Sequence, residues 1–161
     1  MDKTLVRGAM LIALTVVLQS LRLFIPLPPM ASMFFIGTLV NMMLAVTVRL
    51  AGLKPALLAV VLLPFFAYLQ GQLPIPLLIP VVIGGAVFVL ICHWAWHRGL
   101  MLAPLAKTIC MFTSSLVLLK VLALPEKMVF AIGFMMGWPQ MVTGICGILL
   151  ARLITKRTAN F

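Results

Sequence analysis

Polar side chains inside otherwise apolar segments are the residues of this chain that have binding chemistry to offer. Gln140 lies about 16 Å into the last apolar segment at 1.5 Å per residue. The others fall in the segment halves that adjoin proline-containing connections, and they are Gln19, Ser20, Thr38, Asn41, Ser114 and Ser115. A polar group in an apolar medium needs a partner or water, so this clustering predicts a pocket open to one side. The alternative for Asn41 and Gln140 is that each ties two helices together by a hydrogen bond.

One arrangement suggests a metal ligand set, because His93 and His97 are four residues apart and Cys92 is adjacent to His93. Two histidines at this spacing share one face of a helix. The same stretch holds Trp94 and Trp96, which are typical of an aromatic belt at a membrane surface. We favour the belt, since no second ligand cluster accompanies the pair, and we expect neither a metal nor a cofactor.

Acidic residues are nearly missing, since Asp2 and Glu126 are the only two. Paired carboxylates for acid–base catalysis, for Mg²⁺ at a phosphate or for a proton relay are therefore not present. The phosphate-binding pattern GxxxxGK[ST] does not occur either, so we do not expect this chain to hydrolyse ATP. The sequence is a poor candidate for an enzyme.

The composition is that of an integral membrane protein, with 161 residues of which 65% are hydrophobic and 9% charged. Apolar segments recur to the end of the chain, and we expect one membrane domain over residues 1–161 in a lipid bilayer. The net charge of +10 comes from scattered cations rather than from one basic patch with aromatic platforms. We therefore expect no nucleic-acid partner.

Charged and Pro/Gly-rich breaks predict an all-α membrane protein with six transmembrane helices, at residues 4–21, 34–50, 55–68, 77–96, 100–122 and 129–154. The third run is short, because a helix needs about 20 residues to cross the hydrocarbon core. A re-entrant third segment is the alternative.

The distribution of Lys and Arg decides between these two topologies, because cations are retained on the cytoplasmic side during insertion. Six spans with both termini cytoplasmic leave Arg22, Lys120 and Lys127 outside and nine cations inside. The nine are Lys3, Arg7, Arg49, Lys54, Arg98, Lys107, Arg152, Lys156 and Arg157. A re-entrant third segment would give six on each side, so six spans are favoured.

Small residues mark two helices for close packing. Ala9 and Ala13 are four apart on the first helix with Gly8 beside them, and we expect this thin face to dock a partner near the cytoplasmic end. For the alanine pair taken alone, internal packing is the alternative, because small residues at this spacing are frequent in membrane helices. The last helix has its own set, Gly133, Gly137, Gly144 and Gly147. For that set internal packing is the simpler explanation.

These features together resemble the substrate-binding S components of energy-coupling factor (ECF) vitamin transporters. The resemblance covers essentially the whole chain and depends on the order of its motifs. They are the Ala9–Ala13 pair followed by "FFIGTLVNMMLAVTVRLAG", "LLPFFAYLQGQLPIPLLIPVVIGGAV" and "GWPQMVTGICGILLARLI".

The resemblance implies a subunit in the plasma membrane of a prokaryote that captures a small-molecule micronutrient from outside. It also implies a membrane coupling subunit and two ATPase subunits as partners, with Ala9 and Ala13 contacting the coupling subunit. The capture subunit would topple in the membrane to release its substrate inside. A body with few buried charges suits that motion.

The same resemblance implies a pocket lidded by the loop after the first helix and lined by the outer ends of later helices. The candidate substrate-binding residues are Arg22, Asn41, Gln70, Gln72, Ser115, Lys120 and Gln140. External cations favour a carboxylate-bearing vitamin such as pantothenate or folate, unless they are only solvated loop charges. A non-transporting structural or regulatory membrane subunit is the alternative function.

Overall fold

The apolar runs fold into helices, in which every backbone hydrogen bond is made within the segment, as an apolar surrounding requires. The computed structural model describes residues 3–123 and 125–158. In those residues the chain forms seven α-helices, a short 3₁₀ turn at Ile75–Leu77 and no strand. The helices are α1 Lys3–Phe24, α2 Pro29–Ala51, α3 Leu53–Leu69, α4 Leu78–Trp94, α5 Gly99–Val121, α6 Glu126–Met136 and α7 Trp138–Thr158.

Helix boundaries follow the proline and glycine positions. Pro29 opens α2 at a first-turn position, where the missing N–H has no intrahelical partner to lose. Gly52 joins α2 directly to α3 with a φ of +91°, a conformation that a side chain rarely adopts. The chain therefore reverses between α2 and α3 without a long loop.

Helix α2 is the centre of the bundle and packs against α1, α3, α4 and α7. Its second half is buried on nearly all sides. Close approach of α7 is possible because Gly147 has no side chain: a Cβ there would lie 2.7 Å from the Asn41 Cβ and 2.8 Å from the Met42 backbone nitrogen. Gly144 meets Pro104 in the same way, so the expected internal packing of these two glycines is confirmed.

The last apolar run is two helices and not the single predicted one. Helix α6 ends at Met136, Gly137 leaves the helical conformation, and α7 begins at Trp138. Pro139 occupies the first turn of α7, where a proline is tolerated because its N–H is not needed. At the break, Met136 at the end of α6 packs in one cluster with Leu77 and Met111.

Five helical segments are long and apolar enough to cross a membrane, counting Glu126–Thr158 as one, and these make the chain a candidate multi-pass membrane protein. Helix α3 is shorter, with 17 residues. At 1.5 Å per residue it spans about 25 Å, against about 30 Å for a hydrocarbon core. It packs against α1, α2 and α4.

Helix α1 has one face turned inward and one turned outward. Gly8, Ile12, Thr15 and Gln19 form the buried stripe at helical spacing. The outward face consists of exposed residues, Leu5, Ala9, Met10, Ala13, Leu14 and Val17. Gly8 does not extend the thin outer face as the sequence suggested, because it packs on Pro55 of α3, where a Cβ would come within 2.6 Å.

The bundle has two distinguishable ends. We call the end that holds residues 25–28 and 70–74 the loop end, and the end that holds Gly52 and residues 95–98 the basic end. Helices α1 and α3 finish at the loop end, whereas α2 and α4 begin there. At the basic end, Trp96 lies between Arg49 and Arg152, whose guanidinium carbons are 5.4 Å and 5.8 Å from its ring centroid.

This packing changes the interpretation of the histidine pair. Helix α4 ends at Trp94, so His93 and His97 do not share one helix face. Trp94 is 81% exposed, as a residue of an aromatic belt would be. Trp96 is half-buried and contacts both arginines. The Arg152 guanidinium also donates hydrogen bonds to the carbonyl oxygens of Trp96 and His97.

Replacing Arg152 with Leu is expected to lower the free energy of unfolding by about 1–3 kcal/mol, because two carbonyls lose a charged donor. Thermal unfolding of the detergent-purified protein would measure this. Arg157→Leu is the matched control, since Arg157 is exposed near the end of the same helix. Equal effects of the two substitutions would show that the hydrogen bonds from Arg152 to the Trp96 and His97 carbonyls do not stabilise the fold.

Candidate binding cavity

A cavity of about 220 Å³ lies in the half of the bundle next to the loop end. Helices α1 to α5, the α3–α4 connection and the α6–α7 junction all contribute to its wall. Most of the wall is apolar, and it includes four methionines, whose flexible side chains adapt to irregular ligand shapes. These methionines are Met33, Met111, Met135 and Met136.

The deep end of the cavity is formed by Asn41 of α2 and Lys107 of α5. Asn41 lies about 18 Å along its helix and Lys107 about 12 Å along its own at 1.5 Å per residue, so both sit near mid-bundle. The Lys107 ammonium donates to the Asn41 Oδ1 at 2.6 Å. The Asn41 amide nitrogen donates in turn to the Thr143 Oγ1 at 3.2 Å, which fixes the amide with its oxygen toward Lys107. We call Asn41, Lys107 and Thr143 the floor triad.

Lys107 requires a correction to the topology drawn from the sequence, which counts it among the cytoplasmic cations. The residue is 7% exposed and lies inside α5 rather than at a helix end. Its ammonium is also 5.4 Å from the centroid of the Phe88 ring, a buried apolar neighbour. The expectation of a body with few buried charges therefore has one clear exception, and it is at the cavity.

A second group of polar residues ties the α3–α4 connection to α1. The Gln70 Nε2 donates to the Ser20 Oγ at 2.7 Å, and the Gln72 Nε2 donates to the Gln70 Oε1 at 2.7 Å. Deeper in the bundle, the Gln19 Nε2 donates to the Leu63 carbonyl oxygen at 3.2 Å. These bonds hold the loop-end rim of the cavity to two helices.

The structure brings some of the predicted site residues together and leaves others apart. The four that line the cavity are Arg22, Asn41, Gln72 and Gln140. Gln70 stands behind Gln72 and orients it. Ser115 is fully buried within α5, where its hydroxyl donates to the Phe112 carbonyl oxygen, and Lys120 is exposed near the end of α5. Ser115 and Lys120 are not in the cavity wall.

Lys107 and Gln19 line the cavity but are missing from the residues predicted to bind substrate. A signal for Lys107 was present in the sequence. It lies nine residues beyond Arg98 and thirteen before Lys120, inside a long apolar run. An isolated cation at that depth belongs to the bundle interior, since such residues face a polar cavity or a partner in membrane proteins.

The polar lining residues carry positive charges and amide groups. Among the described residues, the polar ones in the wall are two cations, Arg22 and Lys107, and the four amides Gln19, Asn41, Gln72 and Gln140. Cations and amides at fixed positions orient a ligand by charge and hydrogen bonding, while the apolar part of the wall excludes water. A largely apolar wall with a few polar groups is typical of small-molecule sites.

Comparison with protein-family models, with curated proteins and with solved structures found no match to this chain. The functional inference therefore rests on the cavity, on the exposed faces of the bundle and on the resemblance in motif order described above.

Proposed function

We propose that this protein is the substrate-capture subunit of an ECF-type importer for a small vitamin or related micronutrient. In this proposal it resides in the plasma membrane of a prokaryote and binds its substrate from outside. A separate membrane coupling subunit and two ATPase subunits supply the energy. The observation that carries the proposal is the cavity at the loop end, with its polar floor in an apolar body.

The proposed topology has six spans and both termini in the cytoplasm. Removing Lys107 from the cytoplasmic group leaves eight cations inside and three outside, which still satisfies the positive-inside rule. The cavity wall supports a full crossing by α3, because Val60, Leu63 and Ala67 from its second half face the same cavity as the first half of α2. A short span of this kind is accommodated by local thinning of the bilayer.

The proposed docking face is the outward side of α1 around Ala9 and Ala13. Both alanines are exposed, and neither belongs to the packed stripe of α1. Small side chains let the backbone of another helix approach closely, which favours association within a membrane. The larger residues beside them, Met10 and Leu14, would border that contact.

Native mass spectrometry of the protein released from its own membranes tests the capture function. We expect a fraction of the protein to carry one small molecule, released on unfolding and identifiable by its mass. A binding subunit retains such a molecule because its cavity excludes water and fixes the ligand by several contacts. Protein that carries no small molecule, and gains no thermal stability from any vitamin added, would favour the non-transporting subunit instead.

A further inference from the structure

The Lys107 ammonium is a positive charge in an apolar interior, and it lacks some of the hydrogen-bond acceptors that it could use. A lysine ammonium has three N–H donors. Within residues 3–123 and 125–158, its hydrogen bond to the Asn41 Oδ1 is the only one that it makes. The side chain is nevertheless part of the cavity wall, so its remaining donors are available to a bound molecule.

Within residues 3–123 and 125–158, Glu126 is the only carboxylate side chain that could neutralise this charge. Of the chain's two acidic residues, Asp2 lies outside the described residues, and Glu126 is exposed at the first position of α6. Asn41, although well held by Thr143, is a neutral acceptor. Burying an ion without an opposite charge costs several kcal/mol, so the interior would be stabilised by an anion from outside.

The size and polarity of the cavity narrow the choice of anion. A volume of about 220 Å³ lies below the usual range of about 300–1,000 Å³ for ligand pockets, which favours a small molecule. One deep ammonium balances one negative charge, whereas a phosphate dianion would need more donors. The largely apolar wall, with its four methionines, favours an apolar body behind the charged group of the ligand.

We propose that the cavity takes a small monocarboxylate with an apolar body, whose carboxylate pairs with the Lys107 ammonium at the floor triad. This inference rests on the proposed capture function and names the class of its substrate. Arg22, near the loop end of α1, lines the same cavity and adds a second positive charge on the way in. Cations at the entrance of a cleft raise the local concentration of an anionic ligand.

The test uses matched acids and neutral analogues added to the detergent-purified full-length protein. The pairs are nicotinate with nicotinamide, lipoate with lipoamide, and biotin with biotinamide. We expect at least one acid to raise the thermal unfolding midpoint, while its neutral analogue at the same concentration does not. A neutral analogue that stabilises the protein as well as its acid would overturn the pairing with Lys107.

Substitution of Lys107 separates binding from folding. In Lys107→Met we expect the affinity for the stabilising acid to fall about 30-fold or more, because a buried charge pair is broken. The ligand-free variant should unfold at the same temperature as the wild type or higher, since an uncompensated charge is removed. A lower midpoint would identify Lys107 as a structural residue and overturn the proposal.

Lys120→Met is the matched control, because Lys120 is on the same helix but exposed and outside the cavity wall. We expect the affinity of Lys120→Met for the stabilising acid to equal that of the wild type. A bound compound of neutral or cationic type whose affinity survives Lys107→Met would overturn this inference and leave the capture function standing. A wild-type protein that binds no compound at all would defeat the capture function itself.

Discussion

Replacing Ala9 and Ala13 together with leucine is expected to abolish uptake of the carried compound while leaving its affinity for the purified subunit unchanged. Two leucines would add bulk on the exposed face of α1, where the proposed docking helix must approach closely. Gln19 and Arg22, which line the cavity, lie on the opposite side of α1, so the substitutions should leave the cavity unchanged. Uptake in cells, co-purification of the ATPase subunits and binding to the isolated protein are the three measurements.

Two controls make this result interpretable. Ala131→Leu adds the same bulk at another exposed alanine, on α6, and should leave uptake intact. Gly8→Leu should instead destabilise the isolated subunit, because Gly8 packs on Pro55. If the Ala9 and Ala13 double variant behaved like Gly8→Leu and lost affinity along with stability, these alanines would be internal packing residues and the docking face would lie elsewhere.

Replacing Gly147 with leucine is expected to prevent the native packing of α7 on α2. Even a single Cβ added at this position would lie within 3 Å of the Asn41 Cβ and of the Met42 backbone nitrogen. Backbone atoms cannot move aside as the end of a flexible side chain can. Adding one methyl group to a well-packed interior costs about 1–3 kcal/mol, so Gly147→Ala should be clearly destabilised and Gly147→Leu should fail to fold. Thermal unfolding and yield of monodisperse protein measure the two effects.

The neighbouring Cys146 provides the control for Gly147, because it is exposed on the same turn of α7. Cys146→Leu should change the unfolding midpoint little. Gly147→Ala should also weaken binding of the stabilising acid, since displacing α2 from α7 disturbs the hydrogen bond between Asn41 and Thr143. Normal stability in Gly147→Leu would show that α7 does not approach α2 closely enough to exclude a side chain at this position.

Much of the architecture could be predicted from local sequence. Long apolar runs must satisfy their backbone groups within the segment, so an all-helical membrane-type chain follows from composition alone. Proline and glycine marked most boundaries, including Pro29 at the start of α2 and Gly52 before α3. The break at Gly137 was missed because hydropathy continues unchanged across it, although Gly137 is followed closely by Pro139.

The cavity could be predicted only in outline. Depth along a helix is readable from sequence, and Asn41 and Gln140, which depth singles out, line one cavity together with the predicted loop residues Arg22 and Gln72. Rotation about the helix axis is not readable where a helix is apolar on every face, as α5 nearly is. Ser115 was predicted from its depth in the fifth helix and Lys120 from its place beside an external loop, and neither criterion fixes which side of α5 faces the cavity, whose wall includes neither residue.

The sequence by itself determined the helices, their approximate ends and the side of the bundle on which polar groups gather, because each depends on residues close together in the chain. Only the tertiary structure decided that Lys107 is an interior cation bonded to Asn41, that Gly8 packs inward while Ala9 and Ala13 face outward, and that Gly147 brings α7 against α2. These outcomes depend on which face of each helix meets its neighbours, and that choice is made by packing between segments far apart in the chain.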